Sequence, residues 1–162
     1  MSKSVGGTSM SRVANPGLIR PPRIFLAAIV LGLVWHVFWP VPLVSPVIGV
    51  PAGAFLVIAA GWLFVGATRA FKAAGTPVPG NQPATAIVQT GPYRFSRNPI
   101  YLAFAVFQLG LALLVNSLSL VITLLPAFGL MALVVIPREE RYLMGRFPVE
   151  YAAYTAAVRR WL

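Results

Sequence analysis

The 162-residue chain contains no cysteine, one histidine and only three carboxylates. The missing thiols exclude disulfides, thiolate metal sites and a cysteine nucleophile, and His36 alone leaves little for an imidazole metal centre. Against Glu139, Glu140 and Glu150 stand thirteen lysines and arginines, a formal net charge of +10. In a water-soluble domain that balance points to nucleic acid. The abundance of apolar residues overrides this reading, because 58% of the chain is hydrophobic and its mean hydropathy is +0.80; soluble domains are roughly half apolar. The composition is that of an integral membrane protein with no nucleic-acid partner. Its positive charge belongs to the cytoplasmic flanks of membrane spans, where it also meets anionic lipid.

The expected fold class is all-α integral membrane: four transmembrane helices as two hairpins, with a cytosolic central loop and an amphipathic C-terminal helical tail. Apolar runs place the spans at about 24–39, 47–67, 99–115 and 118–137. Residues 1–23, basic and rich in Ser and Gly, are expected as a mobile tail interrupted by Pro21-Pro22, and 24–162 as a single polytopic domain. The first run falls short of the roughly 20 residues that cross a bilayer core, so it needs tilting, thinning or extension. The link 40–46 is uncharged and Asn116-Ser117 forms the other turn. Every lysine and arginine lies before the first span, between the second and third, or after the fourth. This segregation predicts an even number of spans with both termini in the cytoplasm, in the cell membrane, or the inner membrane of a bacterium. The carboxylates share that face.

The polar segment 68–98 runs into Gly91-Pro92-Tyr93-Arg94-Phe95-Ser96-Arg97-Asn98-Pro99-Ile100-Tyr101. Gly91-Pro92 reads as a turn and Pro99 as the first-turn residue of a helix. With helical geometry reaching back one turn, Arg94, Asn98 and Tyr101 share a face, and Arg97 stands one turn from Tyr101. An interfacial belt and a ligand site both explain such a cluster at a membrane boundary. Beyond 137, Leu143, Phe147, Tyr151, Tyr154 and Val158 form a stripe at helical spacing, expected to break near Pro148. This tail either lies on the membrane surface or covers the central loop as a lid. Glu139 and Glu140 stand so close to hydrocarbon that something must compensate them: salt bridges to Arg97, Arg138 or Arg141, or a cofactor. Adjacent helical residues point about 100° apart, so one glutamate is expected in the pocket and the other on an arginine. His36, inside the first span, reads as a side chain pairing across helices.

Two blocks together, Gly91-Pro92-Tyr93-Arg94 continuing into Ser96-Arg97-Asn98-Pro99-Ile100-Tyr101, and Glu139-Glu140 followed by Phe147, Tyr151 and Tyr154, resemble the isoprenylcysteine carboxyl methyltransferase family and the related phospholipid methyltransferases. The resemblance covers roughly 67–162, including Gly75-Thr76-Pro77-Val78-Pro79. It implies a small helical membrane enzyme that binds S-adenosyl-L-methionine in a cytosolic pocket of its C-terminal half, about 68–101 and 138–162, and takes a lipid-like acceptor from the bilayer. The family's Arg-His-Pro-x-Tyr motif falls on Arg97, Asn98, Pro99, Ile100 and Tyr101, so an amide stands where the family commonly has a titratable histidine. The implied cofactor-binding residues are Tyr93, Arg94, Arg97, Asn98, Tyr101, Glu139 and Glu140, and the implied catalytic ones Arg97, Asn98 and Arg159. Either Arg94 or Arg97 is suited to clamp the cofactor carboxylate, either glutamate to accept from its ammonium or ribose, and tyrosines to flank its adenine or sulfonium. Arg159 and Arg160 are candidates to position an anionic acceptor such as a prenylcysteine carboxylate, which needs no base; a lipid amine does need one. Two other readings share these features. Membrane sterol reductases resemble the same C-terminal pattern but use NADPH, and a non-enzymatic basic face would dock anionic lipid or a protein partner.

Overall fold

The computed structural model describes residues 20–78 and 83–162. The expected tail 1–23 lies mostly outside these residues, as do Pro79 and Gly80 of the central loop. Among the described residues the architecture is helical without strands: α1 (Pro21–Phe38), α2 (Pro46–Ala73), α3 (Pro99–Val115), α4 (Leu118–Leu130), a π-helical turn (Met131–Val135), α5 (Ile136–Arg146) and α6 (Pro148–Ala157). A 3₁₀ turn at Gly91–Arg94 precedes α3. Three helical stretches are long and apolar enough to cross a membrane, Pro21–Phe38, Pro46–Ala73 and Leu118–Arg146; α3 is a shorter apolar helix of 17 residues.

Proline sets the helix starts. Pro21, Pro46, Pro99 and Pro148 all occupy first-turn positions, where the missing N–H would have no intrahelical partner. Pro21-Pro22 thus opens the first helix, three residues earlier than its expected start. The second helix continues past 67 to Ala73 because Ala67, Ala70 and Phe71 keep a buried face through the basic turns. At about 1.5 Å per residue α2 is roughly 42 Å long, beyond the roughly 30 Å of a hydrocarbon core. α3 ends at Asn116, whose left-handed φ of 54° stops the helix.

The fourth apolar run does not stop at Pro137. Proline removes one helical donor and crowds the carbonyl four residues back, and here the ladder widens, Ile136 N–H donating to the Met131 carbonyl. The helix therefore carries on through Glu139 and Glu140 to Arg146 as one rod. The tail breaks at Phe147, one residue before Pro148, and residues after Ala157 leave helical geometry.

Consecutive helices α1 and α2 scarcely touch, contrary to the hairpin expectation. α1 instead packs along α4 and α2 along α3, while α3 and α4 do pair directly. Small residues explain the preference: a Cβ on Gly53 would lie 2.7 Å from the Gly110 carbonyl oxygen, and one on Gly110 only 3.0 Å from that of Gly53. Such close backbone approach lets helices associate without a hydrophobic driving force. Polar pins add to it. Fully buried Gln108 donates to the Leu120 carbonyl (3.1 Å) and Thr123 (3.3 Å), and Ser119 donates to the Gly32 carbonyl (2.8 Å). The two short links meet at one end, where Asn116 Oδ1 accepts from the N–H groups of Leu43 (2.8 Å) and Val44 (3.1 Å). At the opposite end lie the 3₁₀ turn, the C-terminal tail and a cavity.

Gly53→Ala is expected to force α2 from α3 and lower stability by about 1–3 kcal/mol. Gly61→Ala, whose methyl meets nothing within 4 Å, should leave the unfolding midpoint unchanged or higher. Tryptophan-fluorescence melting in detergent separates the two, and equal midpoints would refute the Gly53–Gly110 contact.

Candidate functional site

The cavity, about 210 Å³, is bordered by α1, α2, α3, α5, α6 and the segment 84–88. Its wall is mostly apolar, with Tyr93, Arg97, Asn98, Tyr101, Glu139, Glu140, Tyr151 and Tyr154 as the polar groups. An apolar cleft with a few convergent polar groups is the usual form of a small-molecule site.

Each polar group is placed by a local feature. Gly91, at φ +60°, allows the chain to turn into Pro92 and Tyr93; the Tyr93 ring meets Phe71 of α2 edge-on at 5.1 Å. Pro99 starts α3 so that Tyr101 points across to the long helix. Tyr101 donates its hydroxyl to Glu139, 2.7 Å from one carboxylate oxygen and 2.8 Å from the other. Glu140, one residue on, is gripped by two guanidinium groups: Arg97 at 3.1 Å, and Arg160 through Nε at 3.1 Å and Nη2 at 2.6 Å. The two glutamates therefore differ in partner as expected, but both line the cavity. Arg97 also has a buried Nε without a hydrogen-bond partner, a donor left over inside the site.

The tail closes this end of the molecule. Leu143, Phe147, Tyr151, Tyr154 and Val158 all lie on its covered side, with Arg146, Glu150 and Arg159 exposed. Of this stripe, Leu143, Tyr151 and Tyr154 line the cavity. Beyond α6 the chain runs alongside the start of α3: Arg97 N–H donates to the Arg159 carbonyl (3.0 Å), and the Asn98 amide donates to that of Arg160 (3.0 Å). Trp161 then rests on Phe128 at 4.7 Å between centroids. On the other rim, Arg146 Nε donates to the Ala84 carbonyl at 2.7 Å.

Tyr93, Tyr151 and Tyr154 all remain phenols at neutral pH. Burial raises each pKa, reinforced for Tyr93 by Tyr154 and Glu139, for Tyr151 by Glu140, and for Tyr154 by Tyr151; Arg97 acts the other way on Tyr151 and Tyr154. Tyr154 donates its proton to the Tyr93 carbonyl at 2.8 Å. These groups are donors and aromatic faces, not bases.

Of the residues singled out in the sequence, Tyr93, Arg97, Asn98, Tyr101, Glu139 and Glu140 come together. Arg94 is exposed and outside the cavity wall, because α3 does not reach back and the 3₁₀ turn aims position 94 elsewhere. Arg159 contributes its carbonyl, while its side chain is exposed. Arg160 takes the inward place: the chain leaves helical geometry after α6, so neighbouring side chains no longer follow the helical stripe. His36 is half-buried on α1 and does not line the cavity. Tyr151 and Tyr154, already marked by the stripe and the second motif block, join them in the wall; the apolar wall from Pro21, Phe64 and Phe104 gave no separate signal.

Comparison with known proteins adds a family. A profile of the family described as phospholipid methyltransferase matches residues 48–149, well over half of the chain. A cobalt-zinc-cadmium resistance protein, CzcN, of Cupriavidus metallidurans is 40% identical over 73 residues, 44% of this chain and 34% of that protein. A nickel-cobalt-cadmium resistance protein, NccN, of Alcaligenes xylosoxydans xylosoxydans is 38% identical over 76 residues, 46% of this chain and 36% of that protein. The chain thus spans about a third of the length of the curated relatives it matches. No solved structure matches it.

Tyr101→Phe removes the hydroxyl donor from a buried carboxylate and is expected to cost about 1–3 kcal/mol of stability. In a double-mutant cycle with Glu139→Gln, melting should show coupling between the two positions; strict additivity would show that the contact carries no energy.

Proposed function

The chain belongs to the phospholipid methyltransferase family, and from that membership we propose that this integral membrane protein transfers a methyl group from S-adenosyl-L-methionine to a hydrophobic, lipid-like acceptor. The observation that carries the reading is the cavity at the end of the helices, where the Arg97–Glu140 pair, joined from outside the cavity wall by Arg160, and Tyr101–Glu139 face an apolar wall. The donor set fits the cofactor. Arg97, with a buried unpartnered Nε, is the group to hold its carboxylate; Glu139 or Glu140 accepts from its ammonium or ribose; Tyr93, Tyr151 and Tyr154 provide aromatic faces for adenine or a cation.

The bound cofactor would supply a methyl group already activated on a sulfonium. The protein's task is then to align two reactants and exclude water, and few acid–base groups are required. Arg97 and Glu140 orient, the tail residues Tyr151 and Tyr154 cover the site, and the apolar wall receives the acceptor's hydrocarbon. Asn98, whose amide already serves the Arg160 carbonyl, acts by holding the tail instead of moving a proton. The tyrosines, kept protonated, cannot deprotonate an amine, which leaves that task to the glutamates of the cavity; an acceptor that is anionic on arrival, such as a prenylcysteine-type carboxylate or an ionised headgroup, needs no base. The curated relatives are named for metal resistance; among the described residues no group of three or more His, Cys, Asp and Glu is placed to hold a metal ion, and the proposed reaction needs none.

We propose further that four helices cross the bilayer with both termini, the central loop and the cavity in the cytoplasm. The supporting facts are the meeting of the two uncharged links through Asn116 and the confinement of every lysine and arginine among the described residues to segments at the other end.

Calorimetric titration of the purified protein with S-adenosylhomocysteine, run beside NADPH, tests the activity. The homocysteine product should bind and NADPH should not; binding of NADPH alone moves the chain to a reductase. Arg97→Ala should weaken S-adenosylhomocysteine about 10–100-fold while the protein stays folded, since Glu140 keeps Arg160. Unchanged affinity removes Arg97 from the cofactor site. For topology, reporters inserted at Val44 and Asn116 should both report the outside, and either one inside breaks the four-span arrangement.

A further inference from the structure

The gap between α1 and α2 is closed from behind by one ring. Phe104 of α3 stands 5.5 Å from Phe25 of α1 and 5.7 Å from Phe64 of α2, centroid to centroid. These tilted pairs form a short aromatic row across two helices that otherwise scarcely meet. Phe64 and Phe104 both line the cavity, and Phe64 is 39% exposed. Phe25, at 2% exposure, backs the row from α1.

Phe104 lies three residues beyond Tyr101 on the same face of α3, about 4.5 Å further along the helix axis. Tyr101 and Glu139 mark the polar end of the cavity. An acceptor whose reacting head sits at that end thus meets the Phe104 ring within roughly one helical turn, and its remaining chain must either stop there or pass between α1 and α2. Resting on the methyltransferase reading above, we infer that Phe104, held between Phe25 and Phe64, is the specificity-determining residue that limits how long an acceptor chain the site admits, and that the α1–α2 gap is the way out for a longer one. The acceptor class is a single-chain amphiphile with a small anionic head.

The test uses the full chain in nanodiscs, with N-acetyl-S-geranylcysteine and N-acetyl-S-geranylgeranylcysteine as probes that share a head and differ in chain length. Their affinities are obtained by displacement of tritiated N-acetyl-S-farnesylcysteine, with empty nanodiscs subtracted. In the native protein the shorter probe should compete better than its greater hydrophobicity-driven partner would predict. Phe104→Ala should move the ratio of affinities about tenfold toward the longer chain, and Phe104→Trp should move it the other way. A ratio taken within one variant cancels any loss of folded protein, and Phe104→Leu, which keeps the core filled, should fall between native and Phe104→Ala. The same ratio in all four proteins, or no displacement by either probe in any, overturns the assignment of Phe104. Titration of the native protein with S-adenosylhomocysteine is read separately: its binding alongside an unchanged ratio refutes Phe104 alone, and its absence refutes the methyltransferase reading.

Discussion

Glu140 is the one side chain on which the closed end of this molecule depends. It leaves the long fourth rod and meets Arg97, at the entry to α3, and Arg160, from the last residues of the chain. Three segments far apart in sequence are thereby fixed at a single carboxylate, with the Arg97 amide and the Asn98 side chain bonded to the carbonyls of Arg159 and Arg160 as a second seam. A partly buried ion pair of this kind adds little net stability over an apolar contact of the same shape, because desolvation offsets the attraction. Its value is geometric. Removing Glu140 would leave two neighbouring guanidinium groups without their shared carboxylate, so the carboxylate selects the one arrangement in which the tail lies against the entry to α3.

That carboxylate reaches its place because of an irregularity in the backbone. Pro137 would ordinarily end or kink a helix, and with a break there Glu139 and Glu140 would begin a separate tail. The π-helical turn at Met131–Val135 absorbs the missing donor and shifts the register of everything after it. α5 then continues the rod, with Ile136 and Glu139 buried. Wide turns of this type commonly occur near functional sites, and here the consequence is concrete: Glu139 faces Tyr101 and Glu140 faces the arginines.

Local signals carried much of this into the sequence. Pro99 and Asn116 bound α3 where the apolar run begins and ends, and Glu139 with Glu140 stood out because charge beside hydrocarbon demands a partner. What the sequence did not disclose was long-range or depended on backbone register. The pairing of α2 with α3 rests on Gly49, Gly53 and Gly110, whose meaning appears only when two backbones are brought together. Arg94 and Arg97 look equivalent as cations, and only the 3₁₀ turn that ends at Arg94 separates an exposed side chain from one in the wall. Arg159 and Arg160 are adjacent; which of them faces inward depends on the chain leaving helical geometry after Ala157, a boundary that the regular stripe ending in Val158 conceals.

Charge distribution sets the cavity apart from the rest of the polar surface. A chain of net charge +10 repels a sulfonium over most of its polar surface, while screening confines that repulsion to within about 10 Å of each exposed arginine at ordinary salt. Two of its three carboxylates line one cavity together with Arg97, and Glu140 is shared with Arg160, in a wall of low polarity where each charge acts more strongly than in water. Arg69, Arg94, Arg138 and Arg159 stay outside that wall. A ligand carrying carboxylate, ammonium and sulfonium together finds both signs within reach there. In the methyl transfer proposed above, the sulfur would become neutral on loss of the methyl group, one attraction to the glutamates would disappear, and release of the product would be favoured.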